Sequence, residues 1–291
     1  MKRFLTLIFF SLNAYATVYG QSNGSLLWQI SGNKLTKASY LFGTYHLIGK
    51  DFIDTLPGVM NSFNKCEMVA GEIITEDQIL MAQKMMPYIM ANDSTLDKVL
   101  NPMEYRKLDH YIHDKTGAAA SAYNFFKPAM VQYTLLVMSS PKTISDTNPP
   151  LDIYFQDHAR QQNKTTVGFE TLDEQAKLLF NSPITKQKDD LMRYIADSAK
   201  NDSAATQLFK SYQQQDIPKL EKLLADEDDM SPEDRTKLLS ARNKKWMPKI
   251  LNLLNNHSVF IAVGAGHLFG TDGLIELLQQ KGYRVTPVNT K

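Results

Sequence analysis

Two short segments near opposite ends of the chain carry the same motif, G-x-x-H-L-x-G, at residues 43–49 and 264–270. Each follows an apolar run typical of a β-strand, so His46 and His267 both stand on glycine-containing loops just past a strand end. An imidazole in that setting can bind a metal ion or transfer a proton near neutral pH. Since the chain has only six histidines, the repeated setting indicates a shared chemical role.

Two glutamates follow other apolar runs. Glu72 comes at the end of a predicted buried strand over residues 67–74, and Glu170 follows a β-branched run that begins at Thr165. In open α/β sheets, ligands bind beyond the carboxyl ends of the strands. If the four strands are neighbours, two imidazoles and two carboxylates converge, a mixed nitrogen and oxygen set that suits zinc, manganese or a similar divalent ion. The alternative for Glu170 is that it only favours the start of the following helix.

A cation accompanies these groups in the sequence. Arg242, with Asn243 and Trp246, follows an apolar stretch of helical character. Its guanidinium could stabilise an oxyanion, or it could lock a carboxylate through a bidentate pair. The alternative is an exposed helical arginine without a role in chemistry. The candidate catalytic residues are therefore Glu72, Glu170 and Arg242.

The first 20 residues have the layout of a secretory signal peptide. A basic start is followed by an apolar run over residues 4–10 and by small residues near positions 16 and 20, where we expect cleavage. A membrane anchor would need about 20 consecutive apolar residues, and Ser11 and Asn13 interrupt the run too early. We therefore predict a secreted or periplasmic protein.

The composition sets further limits. With 43% hydrophobic and 22% charged residues, the chain has the makeup of an ordinary globular protein. Its single cysteine, Cys66, excludes an intramolecular disulfide, and the net charge of +1 argues against a nucleic-acid surface. No other apolar stretch is long enough to cross a bilayer. We expect a peptide or protein partner, whereas the oligomeric state stays open.

The strand patterns come from both ends of the chain. Residues 26–42 have the signature of a β-hairpin around a polar turn. Residues 258–263 and 283–288 are predicted strands joined by a helix over 273–280 whose cap is Thr271 or Asp272, an arrangement that favours a parallel crossover.

The middle of the chain is mainly helical, over about 76–160 and 185–255. We therefore predict an α/β fold, with α+β as the alternative. In this fold residues 21–291 form one domain, whose mixed central sheet is built from both chain ends and carries a large helical insertion.

Four methionines lie close together within the first helical region, at Met81, Met85, Met86 and Met90. Such a group usually forms one core-facing side of a helix. The alternative is an adaptable apolar groove, because the unbranched thioether side chain fits ligands of varied shape.

The chain resembles the TraB/PrgY/GumN family, which includes the Tiki metalloproteases. The resemblance is carried by six segments spread over nearly the whole chain: Gly43–His46, Val69–Glu72, Gly168–Gln175, Arg242–Trp246, Val263–Gly270 and Gly282–Val285. It implies a core similar to that of erythromycin-esterase-like and ChaN-like proteins, and a peptidase that depends on a divalent metal ion. Carried over to this sequence, it makes His46 and His267 metal-linked histidines and Glu72 the acidic residue, with Glu170 and Arg242 at recurrent family positions.

Three functional hypotheses follow. The first is a metal-dependent hydrolase of peptide bonds, in which manganese, cobalt or zinc is held by His46, His267 and Glu72. The second is a non-catalytic protein that binds and sequesters a peptide or a metal ion, with the methionine-rich helix as a groove wall. The third, suggested by fold analogy alone, is an esterase-like hydrolase that uses a histidine without a metal.

Overall fold

The computed structural model describes residues 25–226 and 231–290. The predicted signal peptide, residues 1–20, lies outside the described residues.

Six strands form a single mixed sheet in the order β4-β3-β5-β2-β1-β6. They are β1 (Leu27–Gly32), β2 (Ser39–Thr44), β3 (Met68–Gly71), β4 (Thr165–Gly168), β5 (Val259–Gly264) and β6 (Tyr283–Pro287). The four strands from β4 to β2 are parallel, whereas β1 pairs antiparallel with both β2 and β6. The prediction of a mixed central sheet built from both chain ends is confirmed.

Fourteen α-helical segments are described around this sheet. They are α1 (Asp51–Asp54), α2 (Pro57–Asn64), α3 (Gln78–Ile89), α4 (Leu96–Val99), α5 (Pro102–Thr116), α6 (Pro128–Ser139), α7 (Leu151–Gln161), α8 (Leu172–Phe180), α9 (Ile184–Ala196), α10 (Ser198–Gln214), α11 (Ile217–Leu224), α12 (Pro232–Arg235), α13 (Ala241–Asn256) and α14 (Leu274–Gln280). A π-helical turn, Thr236–Ser240, joins α12 to α13. Among the helices of the described residues, none has the length and apolar content needed to cross a bilayer.

Consecutive side chains of a strand point to opposite sides of the sheet. Helices pack against both of these faces. On one face Phe42 and Phe260 pack with Phe155 of α7 and Phe63 of α2. Side chains of α13 and α14 pack against the other face. The site residues of α7 and α13 therefore reach the same edge of the sheet from opposite faces.

Four of the inserted helices, α4, α5, α6 and α9, form a second cluster with a core of its own. Leu108 and Ile112 of α5 pack there with Leu135 of α6 and Leu191 of α9, all of them buried. α3 packs along α8, and α8 also contacts α6 of this cluster. The inserted helices thus form a wall beside the carboxyl edge of the sheet.

Local differences from the predicted elements concern their ends. The third strand is shorter than the apolar run over 67–74, since it ends at Gly71 and the chain then turns away. The last helix begins after Gly273 without a side-chain cap, so the prediction of a cap at Thr271 or Asp272 is wrong. The crossover from β5 to β6 runs between strands of the same direction, as predicted, but two strands lie between them.

Candidate functional site

The four residues predicted to do chemistry follow the carboxyl ends of four adjacent parallel strands. Along the sheet they appear in the order Glu170, Glu72, His267 and His46, after β4, β3, β5 and β2. His46, His267, Glu72 and Arg242 line one cavity of about 220 Å³. The sheet therefore brings the two ends of the polypeptide to a single polar cluster.

Arg242 lies at the centre of this cluster, and all five of its N–H groups have acceptors. Nε donates to Glu170 Oε2 at 3.2 Å, and Nη2 donates to both Glu72 Oε2 and Glu170 Oε1. Nη1 donates to the Leu238 carbonyl oxygen at 2.9 Å, within the π-helical turn, and to His267 Nε2 at 3.0 Å. Of the alternatives left open by the sequence, the locked carboxylate pair describes this geometry, because no donor of the guanidinium is left for a substrate.

Glu72 is largely shielded from solvent, with a side chain 12% exposed, and several donors surround it. Its Oε1 accepts from the Gly264 backbone N–H at 2.9 Å, and its Oε2 accepts from Gln175 Nε2 at 3.1 Å as well as from Arg242. Burial alone would raise the pKa of Glu72, but its electrostatic interactions with His267, Arg242 and His46 and the Gly264 hydrogen bond lower it to about 2. Glu72 is therefore an ionised carboxylate. A Cβ on residue 264 would lie 3.2 Å from Glu72 Oε1, so glycine permits this close approach.

Glu170 is the more deeply buried carboxylate, with a side chain only 3% exposed. Besides Arg242 it accepts from Gln175 Nε2 at 3.2 Å and from Trp246 Nε1 at 3.4 Å. It does not line the larger cavity described below, whereas Glu72 does. Glu170 therefore holds Arg242 in place, and Glu72 is the carboxylate that a ligand can reach.

His267 is buried and neutral, and its hydrogen bonds define which ring nitrogen carries the proton. Nε2 receives an N–H from Arg242, so the proton belongs on Nδ1, 2.7 Å from Asn243 Oδ1. The Asn243 amide is oriented by two donations of its Nδ2, to the carbonyl oxygens of His267 at 3.1 Å and of Asp272 at 2.8 Å. Burial lowers the pKa of His267 to about 4. Its Nε2 atom, which accepts from Arg242, lies 3.6 Å from Glu72 Oε1.

His46 stands at the opposite side of the cluster, with a side chain 64% exposed to the cavities. Its Nδ1 forms a hydrogen bond with Asp152 Oδ2, on the first turn of α7. The charge of Asp152 is the main cause that raises the pKa of His46 to about 9. The hydrogen bond leaves Nε2 as the ring nitrogen available to a ligand, and a metal ion bound there would displace the Nε2 proton.

Asp152, Gln175 and Asn243 were not among the predicted site residues. Asn243 and Gln175 lie inside motifs of the family resemblance, so their positions were visible although their roles were not. Asp152 lies in a stretch predicted only as a helix, and no local pattern distinguishes it. Its contact with His46 joins residues 106 positions apart.

A larger cavity of about 700 Å³ adjoins the cluster and is lined by His46, Glu72, Arg242 and Asp152. The methionines of α3 line the same cavity, together with side chains of α6 and α8. For Met81, Met85 and Met86 the prediction of a core-facing side of the helix is therefore wrong, and the alternative of an apolar groove describes them; Met90 follows the helix and does not line this cavity. The reason is that α3 packs against α8 at the margin of the cavity and not over the sheet.

The donor types at the site fit a divalent ion. Both histidines have an oxygen acceptor at Nδ1, the arrangement by which proteins usually orient an imidazole whose Nε2 binds a metal. These donors do not form a complete metal site: within the described part of the chain, no three His, Cys, Asp or Glu side chains form a group that could hold an ion. An ion at His267 Nε2 would have to displace Arg242 Nη1, which lies there now.

The comparisons with known proteins agree with the family resemblance that the sequence motifs carry. A family model described as the TraB/PrgY/gumN family matches residues 26–287. Metalloprotease TIKI2 of Danio rerio is 22% identical over 90% of this chain and 60% of the relative. A Metalloprotease TIKI homolog of Nematostella vectensis is 24% identical over 90% of this chain and 66% of the relative.

Metalloprotease TIKI2 of Xenopus tropicalis is 23% identical over 90% of this chain and 59% of its own length. The chain thus spans 59–66% of the length of these three relatives. No solved structure matches the chain.

Proposed function

Because this chain belongs to the TraB/PrgY/gumN family, we propose that it is a hydrolase that cleaves peptide bonds outside the cytoplasm with the help of a divalent metal ion. The observation that carries the proposal is the pair of histidines from the two ends of the chain. Each has an oxygen acceptor at Nδ1, and both line one cavity with the ionised Glu72. The relatives named as metalloproteases support the reaction class.

His46, His267 and Glu72 would hold the ion, which would supply a water of lowered pKa and polarise the scissile carbonyl. The chain's own contribution is orientation and charge. Asp152 directs the ring of His46, and Asn243 directs that of His267. Arg242 keeps Glu72 ionised and holds it beside His267, while Glu170 fixes Arg242. Glu170 would act through this positioning, because both of its oxygens are already bound to Arg242.

The test is cleavage of a peptide panel by the mature protein, followed by mass spectrometry, with manganese, cobalt or zinc added after chelator treatment. We expect products only with a metal, and none from the His46→Ala variant, which should fold normally because this side chain is exposed. The matched control is His110→Ala, whose imidazole is 81% exposed on α5. Full activity of His46→Ala would contradict the mechanism.

Two other outcomes correspond to the competing functions. Stoichiometric binding of peptides without products would indicate a sequestering protein. The His46–Asp152 hydrogen bond favours a second catalytic candidate, a metal-independent hydrolase in which this oriented imidazole handles the proton. Ester or peptide cleavage that persists in chelator, and is lost in Asp152→Asn and His46→Ala alike, would indicate that function.

A further inference from the structure

The larger cavity has a lining divided into a polar part and an apolar part. Its charged and imidazole side chains, His46, Glu72, Asp152 and Arg242, all belong to the candidate site. Most other lining side chains are apolar. We define the apolar wall by six of them, contributed by α3, α6 and α8: Met81, Met85, Met86, Met130, Tyr133 and Leu179.

The apolar wall is open to solvent. Met86 is 46%, Tyr133 50% and Leu179 42% exposed, although all three are large and hydrophobic. Isolated exposed apolar residues are common, but a contiguous apolar patch beside a polar site indicates a surface that a ligand covers. Most of the other exposed large apolar side chains of the described residues lie on or just before the same helices: Ile74, Ile79, Leu80, Leu136 and Met138.

The size and chemistry of the cavity suit several side chains of an extended chain. A volume of about 700 Å³ falls within the range of roughly 300–1,000 Å³ that is usual for ligand sites. Flexible methionine side chains adapt to different apolar shapes. A charged side chain placed against the apolar wall would lose its water without gaining a partner.

We propose that the apolar wall selects peptides with large aliphatic or aromatic side chains next to the bond that reaches the His46–Glu72–Arg242 cluster. The identification of the ligand as a peptide rests on the proposed function. Its physical content, a preference for neutral, bulky side chains beside the reacting bond, comes from the cavity. Serine, aspartate or lysine at those substrate positions is disfavoured.

The test measures binding and turnover separately, with a fluorescent octapeptide that carries leucine and phenylalanine on both sides of its central bond. Matched peptides have serine or aspartate at those positions. By fluorescence anisotropy in chelator, we expect the apolar peptide to bind at least about tenfold more tightly, since each apolar group in a hydrophobic pocket discriminates by about 10-fold or more. Met85→Gln and Met130→Gln should each weaken its binding severalfold. The control is Met103→Gln, at a methionine 61% exposed on α5 and outside the cavity lining.

The outcomes separate this inference from the proposed function. A strong apolar preference in binding without cleavage under any metal would retain the apolar wall as a peptide site and overturn the hydrolase. Cleavage of apolar, serine and aspartate peptides at equal rates would keep the hydrolase and overturn the selection. Palmitate that displaces the apolar peptide and binds more tightly than it would also overturn the proposal, because the wall would then serve an acyl chain.

Discussion

Asn243 accepts the Nδ1 proton of His267, and its own amide is held by two backbone carbonyl oxygens, those of His267 and Asp272. The amide therefore cannot rotate without losing two hydrogen bonds. Because an amide oxygen can only accept, the ring of His267 must keep its proton on Nδ1 and present a lone pair at Nε2. One buried side chain thus decides which atom of the histidine faces Glu72.

We expect Asn243→Ala to lower activity by about 10–100-fold, the usual effect of losing a residue that orients a metal-ligating histidine. It should also lower the free energy of unfolding by about 3 kcal/mol, because three buried hydrogen bonds are lost. Activity assays and urea denaturation measure the two effects. Nitrogen-15 NMR of the unmodified protein should find His267 in the Nδ1–H tautomer.

The control for this substitution is Asn252→Ala, at an exposed position on the same helix. It should leave activity unchanged and alter stability by less than about 0.5 kcal/mol, as surface substitutions usually do. An Nε2–H tautomer of His267 in the unmodified protein would contradict the assignment.

Asp152 is expected to direct His46 in the same way. Asp152→Asn keeps the size of the side chain but removes the charge, so the ring of His46 is held less firmly. We predict a loss of about 10–100-fold in activity or in manganese affinity. Isothermal titration with manganese and assays of the best peptide would measure it.

A matched control lies one and a half turns further along α7. Asp157 forms an ion pair with Arg160, and Asp157→Asn should leave manganese affinity and activity within a factor of two. Equal losses in both variants would indicate that negative charge on α7, and not the contact with His46, supports the reaction.

The sequence was informative about the site wherever a residue follows a strand. The repeated G-x-x-H motif, Glu72 and Glu170 were predictable because short continuous apolar or β-branched runs mark buried strands, and parallel strands end at one edge. The order of the strands was not predictable, since pairing β5 between β3 and β2 depends on packing between distant segments.

The contacts that the helices make with the site could not be predicted from the sequence. Asp152 is an ordinary helical residue until α7 is placed on the sheet, and the methionines of α3 suit a core as well as a cavity wall. In both cases the local sequence pattern predicts the helix but not the element against which the helix packs. The bidentate pair of Arg242 with Glu170 was only one of three alternatives for that arginine.

Glu174 gives a prediction about acid stability. A hydrogen bond from Lys245, followed by one from the Thr171 backbone N–H, lowers the pKa of Glu174 to about 2. Since the unfolded value is about 4.3, this contribution is present above about pH 4.3 and is lost as the pH falls toward 2.

Glu174→Gln should therefore lower the free energy of unfolding at pH 7 by about 0.5–1 kcal/mol, a modest amount because the pair is exposed. Urea denaturation at pH 7, 5, 4 and 3 should find the difference from the unmodified protein shrinking with acid. Lys245→Gln should follow the same course. A difference that grows as the pH falls would contradict the assignment.

Arg242 should be the most costly side chain of the cluster to remove. Its side chain is 12% exposed, and without it Glu72 and Glu170 would face each other as buried, uncompensated charges. Arg242→Met keeps the apolar stem and should lower the free energy of unfolding by about 3–5 kcal/mol. Adding Glu170→Gln to that variant should restore part of the loss, since it removes one of the two unpaired charges.

The control for this substitution is Lys245→Met, one turn further along α13. Lys245 pairs with Glu174 at an exposed position, 56% and 43% exposed, so its loss should cost less than about 1 kcal/mol. Urea denaturation of the two variants and of Arg242→Met/Glu170→Gln measures the difference. If Arg242→Met costs no more than Lys245→Met, the carboxylates are not held by Arg242, and the reachable Glu72 must be stabilised by Gly264 and Gln175 alone.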